Sequence, residues 1–596
     1  MLVSRRAKEP LSWNGNIEHR VTSQSTVRLV SVSSDYIARR ICPCNKFLMA
    51  GTTGGPGSRG RPPRSPQPSA RPGSVPQQDR PAWLLRVNRL YGFRDDWTTA
   101  ARFARRFRGG CWGEETTASR ISRWETGAVR APHRALQRYE QLLELPNGSL
   151  VAVTDTVYRY SAPTIAAPPR LDRGPRQSGR TELLLEQALT NDIMTGSDWD
   201  QLTADLAVAP RVVAPASLWE RLAERLLAET IIADGVPWMQ RYEALSRLLA
   251  HPIGQRAAVA ACASLAADHS NQIFVEPLSV LDASAHPDAG NHLLRQLVDP
   301  TNELARYGAL LGCVRKLRYR HFTGPQLHRL VPVVNALLED PAARKDVQPL
   351  AVELMRHLPA DLLIDRRTEL NRAISGDRLL RRVFKAGRLM ERETARVTVA
   401  RIVRSTLAGL FRELPHFRDQ MLPMLVDEML FHPVLDIRLY AAMLLAATPY
   451  REPLAAALAT ELTAVPHATE TTQAMLEALR ILGGQEQRPL VERLITATGV
   501  RPPVVVAAAR AIGHMRGRSS DRFWVRAITH HVTPAPAAVG GPHHLALSGL
   551  VYALGLARDQ RMLRMVASHP AVPAGPRAAA VWWLGRPAYV LDSAAR

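Results

Sequence analysis

The sequence predicts an all-α protein, in which a small domain of five helices precedes a long array of helix pairs. Apolar residues recur at helical spacing from Trp83 to about residue 160. From Glu182 onward, helical segments of roughly 12–18 residues alternate with short breaks rich in Pro, Gly or His-Pro. This second region, about 400 residues long, exceeds the usual size of a single hydrophobic core, which favours a repeat array.

Two segments outside these regions are predicted to lack regular structure. Residues 51–81 contain eight Pro, six Gly and four Ser, with only two apolar residues. Such a composition buries too little apolar surface to offset the entropy lost on ordering, so a disordered basic tether is expected. Residues 161–181 contain four Pro and two Gly, a composition that indicates a second linker. The predicted segments are the extension 1–81, the small domain 82–160, the linker 161–181 and the helical array 182–596.

Breaks in the second region recur with a period near 45 residues. Several consist of His or Asp followed by Pro, with spacings of 48, 41, 92 and 137 residues. The last two spacings are close to two and three units of about 46 residues, whereas His286-Pro287 does not fit. The pairs that define the period begin at His251, Asp299, Asp340, His432 and His569.

Positive charge is concentrated in the first third of the chain. Residues 1–180 contain 30 Lys or Arg and 13 Asp or Glu, a net charge of +17, and the rest carries 47 against 41, a net of +6. Such a field attracts a polyanion, usually nucleic acid or an anionic membrane. No run of about 18 apolar residues occurs, which argues against a membrane partner.

The cysteines and the known catalytic motifs give no sign of an enzyme. An odd, scattered set of cysteines does not form a disulfide framework and fits a reducing cytoplasm. Neither metal-ligand spacing nor a nucleophile or phosphate-binding motif is present, so no metal, cofactor or catalytic residue is predicted. The cysteines are Cys42, Cys44, Cys111, Cys262 and Cys313.

The candidate functional element is a short helix within TTASRISRWETGAVRAP, residues 116–132. Ala118, Ile121 and Trp124 form one apolar stripe at i, i+3 and i+6, and Thr116 is the expected N-cap. Hydroxyls can hydrogen-bond phosphates or base edges, and Arg can donate two hydrogen bonds to guanine. The outward positions, which carry only hydroxyls and guanidinium groups, are Thr117, Ser119, Arg120, Ser122 and Arg123.

The motif SRISRWETG followed by AP resembles the lambda-repressor-like helix-turn-helix domains of the xenobiotic-response-element class. The resemblance covers residues 82–160 and implies that the short helix is a DNA recognition helix. It also implies phosphate contacts from Arg130, His133 and Arg134 at the start of the next helix. The sequence departs from the family by about seven extra residues between Ala104 and Gly127, where RFRGGCWGEE replaces a tight turn.

The same resemblance assigns structural roles within the small domain. Glu125, the acidic residue before the glycine, is expected to be buried in an ion pair with Arg89. Ile121 and Trp124 are expected to form part of the core. Residues 182–590 are similar to HEAT-type repeats, in which a Pro is followed by an Arg and then by small apolar residues.

These observations predict a sequence-specific DNA-binding transcriptional regulator without enzymatic activity, located in the cytoplasm at the nucleoid. Its α-solenoid would sense a ligand or a partner protein on a concave surface, and a homodimer remains open. One alternative is a scaffold protein whose helix-turn-helix domain does not bind DNA. A more remote alternative is a HEAT-like enzyme acting on DNA bases, for which the candidates are Trp199, Trp219, Trp238 and Asp234.

Overall fold

The regular structure of the chain is helical throughout the described residues. The computed structural model describes residues 79–92, 95–161, 178–208, 215–340, 346–364, 367–414, 417–464, 469–532 and 540–596. Within these ranges the only extended pairing is an isolated bridge between Gly109 and Trp112. The all-α prediction is therefore confirmed. No helix in the described part of the chain has the length and apolar character needed to cross a bilayer.

Five helices occupy the predicted small domain. Helix α1 begins ahead of the predicted boundary at residue 82, whereas the predicted extension before residue 79 lies outside the described residues. A single turn of 3-10 helix, Asp95–Thr98, follows α1. The helices are α1 (Asp79–Leu90), α2 (Ala100–Phe107), α3 (Ala118–Glu125), α4 (His133–Leu142) and α5 (Ser149–Ser161).

The remaining helices begin with α6, which starts inside the predicted linker 161–181. Several of them have Pro in their first turn, where the missing N–H would have no helical partner. The first group is α6 (Ser178–Leu189), α7 (Gly196–Val208), α8 (Ala216–Thr230), α9 (Gly235–Ala250), α10 (Gln255–Ala267), α11 (Val275–Ser279), α12 (Pro287–Val298), α13 (Glu303–Arg318), α14 (Gly324–Glu339), α15 (Val347–His357), α16 (Arg367–Gly376) and α17 (Arg378–Ala386). The second group is α18 (Arg392–Ala408), α19 (Met421–Phe431), α20 (Leu435–Ala446), α21 (Arg451–Ala464), α22 (Thr469–Leu482), α23 (Arg488–Thr496), α24 (Pro502–Ala511), α25 (Asp521–Val532), α26 (Pro542–Leu556), α27 (Gln560–Ser568), α28 (Ala574–Leu584) and α29 (Ala588–Ala594).

From α19 to α28, neighbouring helices pack in pairs, and alternate helices form a row. Helix α19 packs against α20, α21 against α22, α23 against α24, α25 against α26, and α27 against α28. Helices α20, α22, α24, α26 and α28 each contact the next member of that series. Each pair thus buries its apolar face mainly against adjacent pairs, the arrangement in which stability comes from nearest-neighbour interfaces.

The C-terminal helix packs against the beginning of this region. Helix α29 contacts α8, and the amide of Met194 donates a hydrogen bond of 3.1 Å to Oγ of Ser593. The amide of Gly196 donates to the carbonyl of Arg596 at 2.8 Å. These contacts join residues about 400 positions apart in the chain.

Helices α1 and α5 are shared between the small domain and the rest of the structure. All described residues belong to one compact unit. In α1, Arg80 forms an ion pair of 2.7 Å with Glu428, and the indole N–H of Trp83 donates to Asp419 at 3.0 Å. Side chains on both faces of α1 are consequently buried, since α3 and α5 cover one side and residues 419–428 the other.

A buried charge network fixes α5 against the helices around it. Arg159 donates to Glu243 at 2.8 Å and lies 3.9 Å from Asp282. Asp282 also faces Arg315 at 3.2 Å, and Arg315 lies 3.4 Å from Asp436. Burial raises the pKa of Asp282, while the two guanidinium groups oppose that change. Opposite charges alternate through the network, so the free-energy cost of removing each ion from water is offset by a neighbouring opposite charge.

Three of the His-Pro pairs end helices through a hydrogen bond of the imidazole. His251, His432 and His569 are the C-cap residues of α9, α19 and α27. In each case Nδ1 accepts a hydrogen bond from the amide two residues further along, at 3.0–3.2 Å. The following proline disfavours helical geometry at the histidine, so the motif stops one helix and orders the turn to the next.

This hydrogen bond requires the neutral imidazole. Nδ1 of His432 accepts from the amide of Val434 at 3.0 Å, and protonation would remove that acceptor. Burial lowers the pKa of His432 to about 3, and the positive charge of Arg438 contributes to the shift. Arg80 and Arg356 act in the same direction. His432 is therefore neutral in the folded protein at pH values at which a free histidine is protonated.

We expect acid to destabilise the fold less when His432 is replaced by asparagine. Below a pH of about 6.5 the unfolded chain binds a proton at His432 that the folded chain does not bind, so stability falls from that pH down to about 3. His432→Asn keeps an oxygen acceptor without a titrating group. Urea midpoints at pH 7 and pH 5 should differ less in the variant, and an equal difference in both proteins would contradict the assignment.

Candidate nucleic-acid interface

Helix α3 begins after a capping threonine and is followed by a turn that contains a glycine. Thr117 is the N-cap, and its Oγ1 accepts from the amide of Arg120 at 3.2 Å. The prediction of Thr116 as the N-cap is therefore wrong by one residue, because the extended backbone before the helix ends at Thr117. After the helix, Gly127 has a φ of +73°, a conformation that glycine adopts readily.

The inner face of α3 is buried at two of its three predicted positions, and Ala118 is half-buried. Ile121 is fully buried and Trp124 is 2% exposed. The ring of Trp124 lies 5.6 Å from that of Phe107 in α2 and 5.6 Å from that of Trp112. Aromatic packing of this kind contributes beyond the area buried, so α3 is held against α2 by its apolar stripe.

Glu125 and Arg89 form the ion pair that the resemblance implies. The two groups make a bidentate contact, with Nε–Oε1 at 2.6 Å and Nη2–Oε2 at 2.7 Å. Tyr139 donates its hydroxyl to Glu125 at 2.9 Å, and burial together with the charge of Glu125 raises the pKa of Tyr139. Arg89 also donates to the carbonyls of Trp97 and Thr98. The glutamate thus joins α1, α3 and α4 at one buried point.

The outer face of α3 is exposed and carries hydroxyl and guanidinium groups. Arg120 stacks against two indoles, with its guanidinium carbon 4.9 Å from the ring centre of Trp112 and 5.3 Å from that of Trp124. It also lies 3.3 Å from Glu114 in an exposed ion pair. The side chains that reach solvent from this face are those of Thr117, Ser119, Arg120, Ser122 and Arg123.

The extra residues before α3 form a packed turn. Gly109 and Trp112 exchange two backbone hydrogen bonds of 2.7 and 3.0 Å, with Gly110 at a φ of +57° between them. Trp112 is 3% exposed and packs between Phe107 and Trp124. The insertion is therefore part of the core that supports α3. Sequence reasoning did not identify this role, although a lone tryptophan in a glycine-rich segment was the available signal.

The three residues after α3 that were expected to contact phosphate differ in their exposure to solvent. Arg130 is exposed and stacks on Tyr158, with its guanidinium carbon 3.6 Å from the ring centre. Arg134 is half-buried, 5.8 Å from the ring centre of Trp112. His133 is only 7% exposed. The prediction that His133 contacts DNA is not supported by this placement, because its side chain packs inward at the start of α4.

Exposed arginines on α2 extend the basic surface beyond the predicted residues. The apolar face of α2 is directed inward through Phe103 and Phe107. Sequence reasoning treated α2 only as a packing element and did not select its outward arginines, which are Arg102, Arg105 and Arg106.

The residues suggested for a base-processing enzyme do not converge on one site. Trp199 is buried and donates its indole N–H to Glu229 at 2.7 Å. Trp219 is buried and stacks on His251. Asp234 lies 3.0 Å from His514. Because two of the three tryptophans are enclosed, the described residues do not form the aromatic site that such chemistry requires.

Neither metal ligands nor relatives add to this description. No group of three or more potential metal ligands occurs among the described residues, where Cys111, Cys262 and Cys313 have free thiols. No protein family, curated protein or solved structure matches this chain.

Proposed function

We propose that the protein is a sequence-specific DNA-binding transcriptional regulator in which α3 is the recognition helix. The observation that carries the proposal is the exposed face of α3, which presents only hydroxyls and arginines while its opposite face is fixed in a core. Arginine can bind guanine through two hydrogen bonds in the major groove. The net charge of +17 in residues 1–180 supplies the attraction to phosphate.

Each part of the surface has a separate task in this proposal. Arg120 and Arg123 read base edges, with the hydroxyls beside them, and Arg130 and Arg134 contact phosphate. The paired helices from α6 onward act as a HEAT-like α-solenoid that receives a ligand or a partner protein. The protein would act on double-stranded DNA at the nucleoid, in the cytoplasm, as a monomer or a homodimer, and without catalysis.

A scaffold protein is the second candidate, and the burial of α1 and α5 favours it. Arg80, Trp83 and Arg159 all contact residues far along the chain, so the five-helix region also serves as a packing unit. The same contacts mean that the test is best made with the full chain. A fragment of residues 80–160 would expose these side chains to water.

Substitutions in and beside α3 should separate base reading from phosphate binding. Arg123→Ala should cost about 1–3 kcal/mol at the preferred site and relax the preference at one base pair. Arg134→Ala should weaken binding to all sequences alike. It should also reduce the slope of log affinity against log salt concentration by about one, the change expected for the loss of one phosphate contact. Both effects can be measured by fluorescence anisotropy of full-length protein on duplexes carrying single-base changes, over a range of salt concentrations.

Arg396→Ala is the matched control for these measurements. Arg396 is an exposed arginine of α18, paired with Glu393, so its loss changes the net charge equally without altering α3. If neither Arg120→Ala nor Arg123→Ala alters sequence preference, α3 is not the recognition element. If the full chain binds no duplex even at low salt, the scaffold candidate replaces the regulator.

A further inference from the structure

A second concentration of positive charge lies in the middle of the helical array. Residues 366–418 contain 14 Lys or Arg and five Asp or Glu, a net charge of +9. Because residues 181–596 as a whole carry +6, the rest of that region has a net charge of −3. The positive charge of the array therefore belongs to one segment, which comprises α16, α17, α18 and the connection to α19.

The outward face of α17 presents three cations in a row. Arg378, Arg381 and Lys385 are exposed and occupy positions i, i+3 and i+7 of the helix. Residues at these spacings share one helix face. The opposite face is buried through Leu380 and Val383, and α17 packs against α15 and α16. The α17 row, meaning these three cations, is therefore carried by a helix whose position is fixed by its core contacts.

No carboxylate of the described residues lies within ion-pair distance of the α17 row. The neighbouring Arg382 has such a partner, since it contacts Glu391 at 3.1 Å. The acidic residue at the start of the helix, Asp377, is the N-cap and accepts hydrogen bonds from the amides of Leu379 and Leu380. Three adjacent cations that lack carboxylate partners raise the local positive potential, which attracts an anionic partner.

Helix α19 connects the end of α17 to the small domain. Two consecutive carboxylates of α19 make the connection. Asp427 pairs with Arg388, which follows α17 by two residues, and Glu428 pairs with Arg80 in the first turn of α1 at 2.7 Å. The end of α17 and the beginning of α1 are thus held by neighbouring residues of one helix, so the α17 row is anchored beside the small domain.

The spacing and chemistry of the α17 row fit the backbone of a DNA duplex. Seven residues of helix span about 10 Å, and one strand of B-DNA carries about three phosphates over that length. Guanidinium groups match phosphate oxygens with two hydrogen bonds. Across the described length of α17, Phe384 is the only large apolar residue that is exposed. A protein interface usually has an apolar centre, so these features favour a polyanion.

We propose that the α17 row binds the phosphate backbone of DNA beside the site that α3 reads. The inference rests on the proposed function and extends it, because it gives the helical array a direct part in DNA binding. Phosphate contacts carry no sequence information. The row therefore adds affinity and salt dependence to the complex, and it leaves the choice of sequence to α3.

The contact can be tested with the full-length protein by fluorescence anisotropy on duplexes of different length. One duplex contains the preferred site alone, and two others extend it on either side by one helical turn, about 10 base pairs. We expect one extended duplex to bind more tightly than the site alone. The triple variant Arg378→Gln, Arg381→Gln, Lys385→Gln should lose that gain. Its slope of log affinity against log salt concentration should fall by about 2–3, because each phosphate contact contributes about 0.9.

A second triple variant controls for net charge. Arg522→Gln, Arg526→Gln, Arg564→Gln removes the same three charges from exposed positions of α25 and α27. It should keep the gain on the extended duplex and the salt dependence of the unaltered protein. Both triple variants should retain the urea midpoint, since all six side chains are exposed. An equal loss of DNA affinity in the two variants would show that overall charge alone is responsible, and would overturn the inference.

The outcomes separate the α17 contact from the proposed function. If the α17 variant binds every duplex as the unaltered protein does, the contact is overturned and base reading by α3 is unaffected. If the α17 variant loses the gain while substitutions in α3 leave sequence preference unchanged, the contact stands and α3 is not the recognition helix. If the protein binds no duplex but binds vesicles of anionic phospholipid through the α17 row, both proposals are overturned.

Discussion

Replacing Arg159 with alanine is expected to lower the free energy of unfolding by about 3–5 kcal/mol. The change leaves Glu243 and Asp282 buried without the guanidinium group that lies 2.8 and 3.9 Å from them. Both carboxylates are enclosed, so water cannot replace the lost partner. The loss should be visible as a lower urea midpoint, measured by circular dichroism at neutral pH.

A double variant distinguishes loss of the ion pair from loss of packing. Arg159→Met with Glu243→Met removes two opposite charges and retains side chains of similar size. It should be less destabilised than the sum of the two single changes, because groups in direct contact are not additive. Arg396→Ala, which breaks an exposed ion pair with Glu393, should leave the midpoint unchanged. An unchanged midpoint in Arg159→Ala would show that the network is not buried in solution.

Trp124→Ala is expected to destabilise the protein by about 3–5 kcal/mol and to abolish DNA binding to every sequence. Trp124 is 2% exposed and packs against both Phe107 and Trp112. Its removal leaves a cavity beneath α3, and the helix loses the surface that holds it against α2. Stability is measured by urea unfolding, and DNA binding by anisotropy with several unrelated duplexes.

Ser122→Ala provides the comparison within the same helix. Ser122 lies on the exposed face of α3, so its substitution should leave the urea midpoint unchanged and affect only DNA binding. If Trp124→Ala retained sequence preference at reduced affinity, α3 would not depend on this core contact. That outcome would contradict the view that the helix is fixed by its apolar stripe.

Helical periodicity was sufficient to predict the two faces of α3. Because side chains three and four positions apart share a helix face, the sequence distinguished buried Ile121 and Trp124 from exposed Arg120 and Arg123. The ion pair between Arg89 and Glu125 came instead from the resemblance to helix-turn-helix domains. The N-cap was misplaced by one residue, since Thr116 and Thr117 are chemically equivalent as caps and only the backbone geometry distinguishes them.

The burial of two other residues, His133 and Trp112, could not be predicted from the sequence around them. The resemblance implied a phosphate contact for His133, yet its side chain is buried. Trp112 was considered part of an inserted loop, whereas it packs against α2 and α3. Both outcomes depend on which surfaces meet in three dimensions, and the spacing of residues along one helix does not contain that information.

The sequence by itself determined the all-α class and the chemistry of the residues that α3 exposes. These properties follow from local periodicity, from proline and glycine at the breaks, and from charge distribution. Only the tertiary structure decided that Arg159 joins α5 to a buried charge network and that α29 packs against α8. Each of these features joins residues far apart in the chain, and such pairings are chosen by the fit of whole surfaces rather than by any short stretch of sequence.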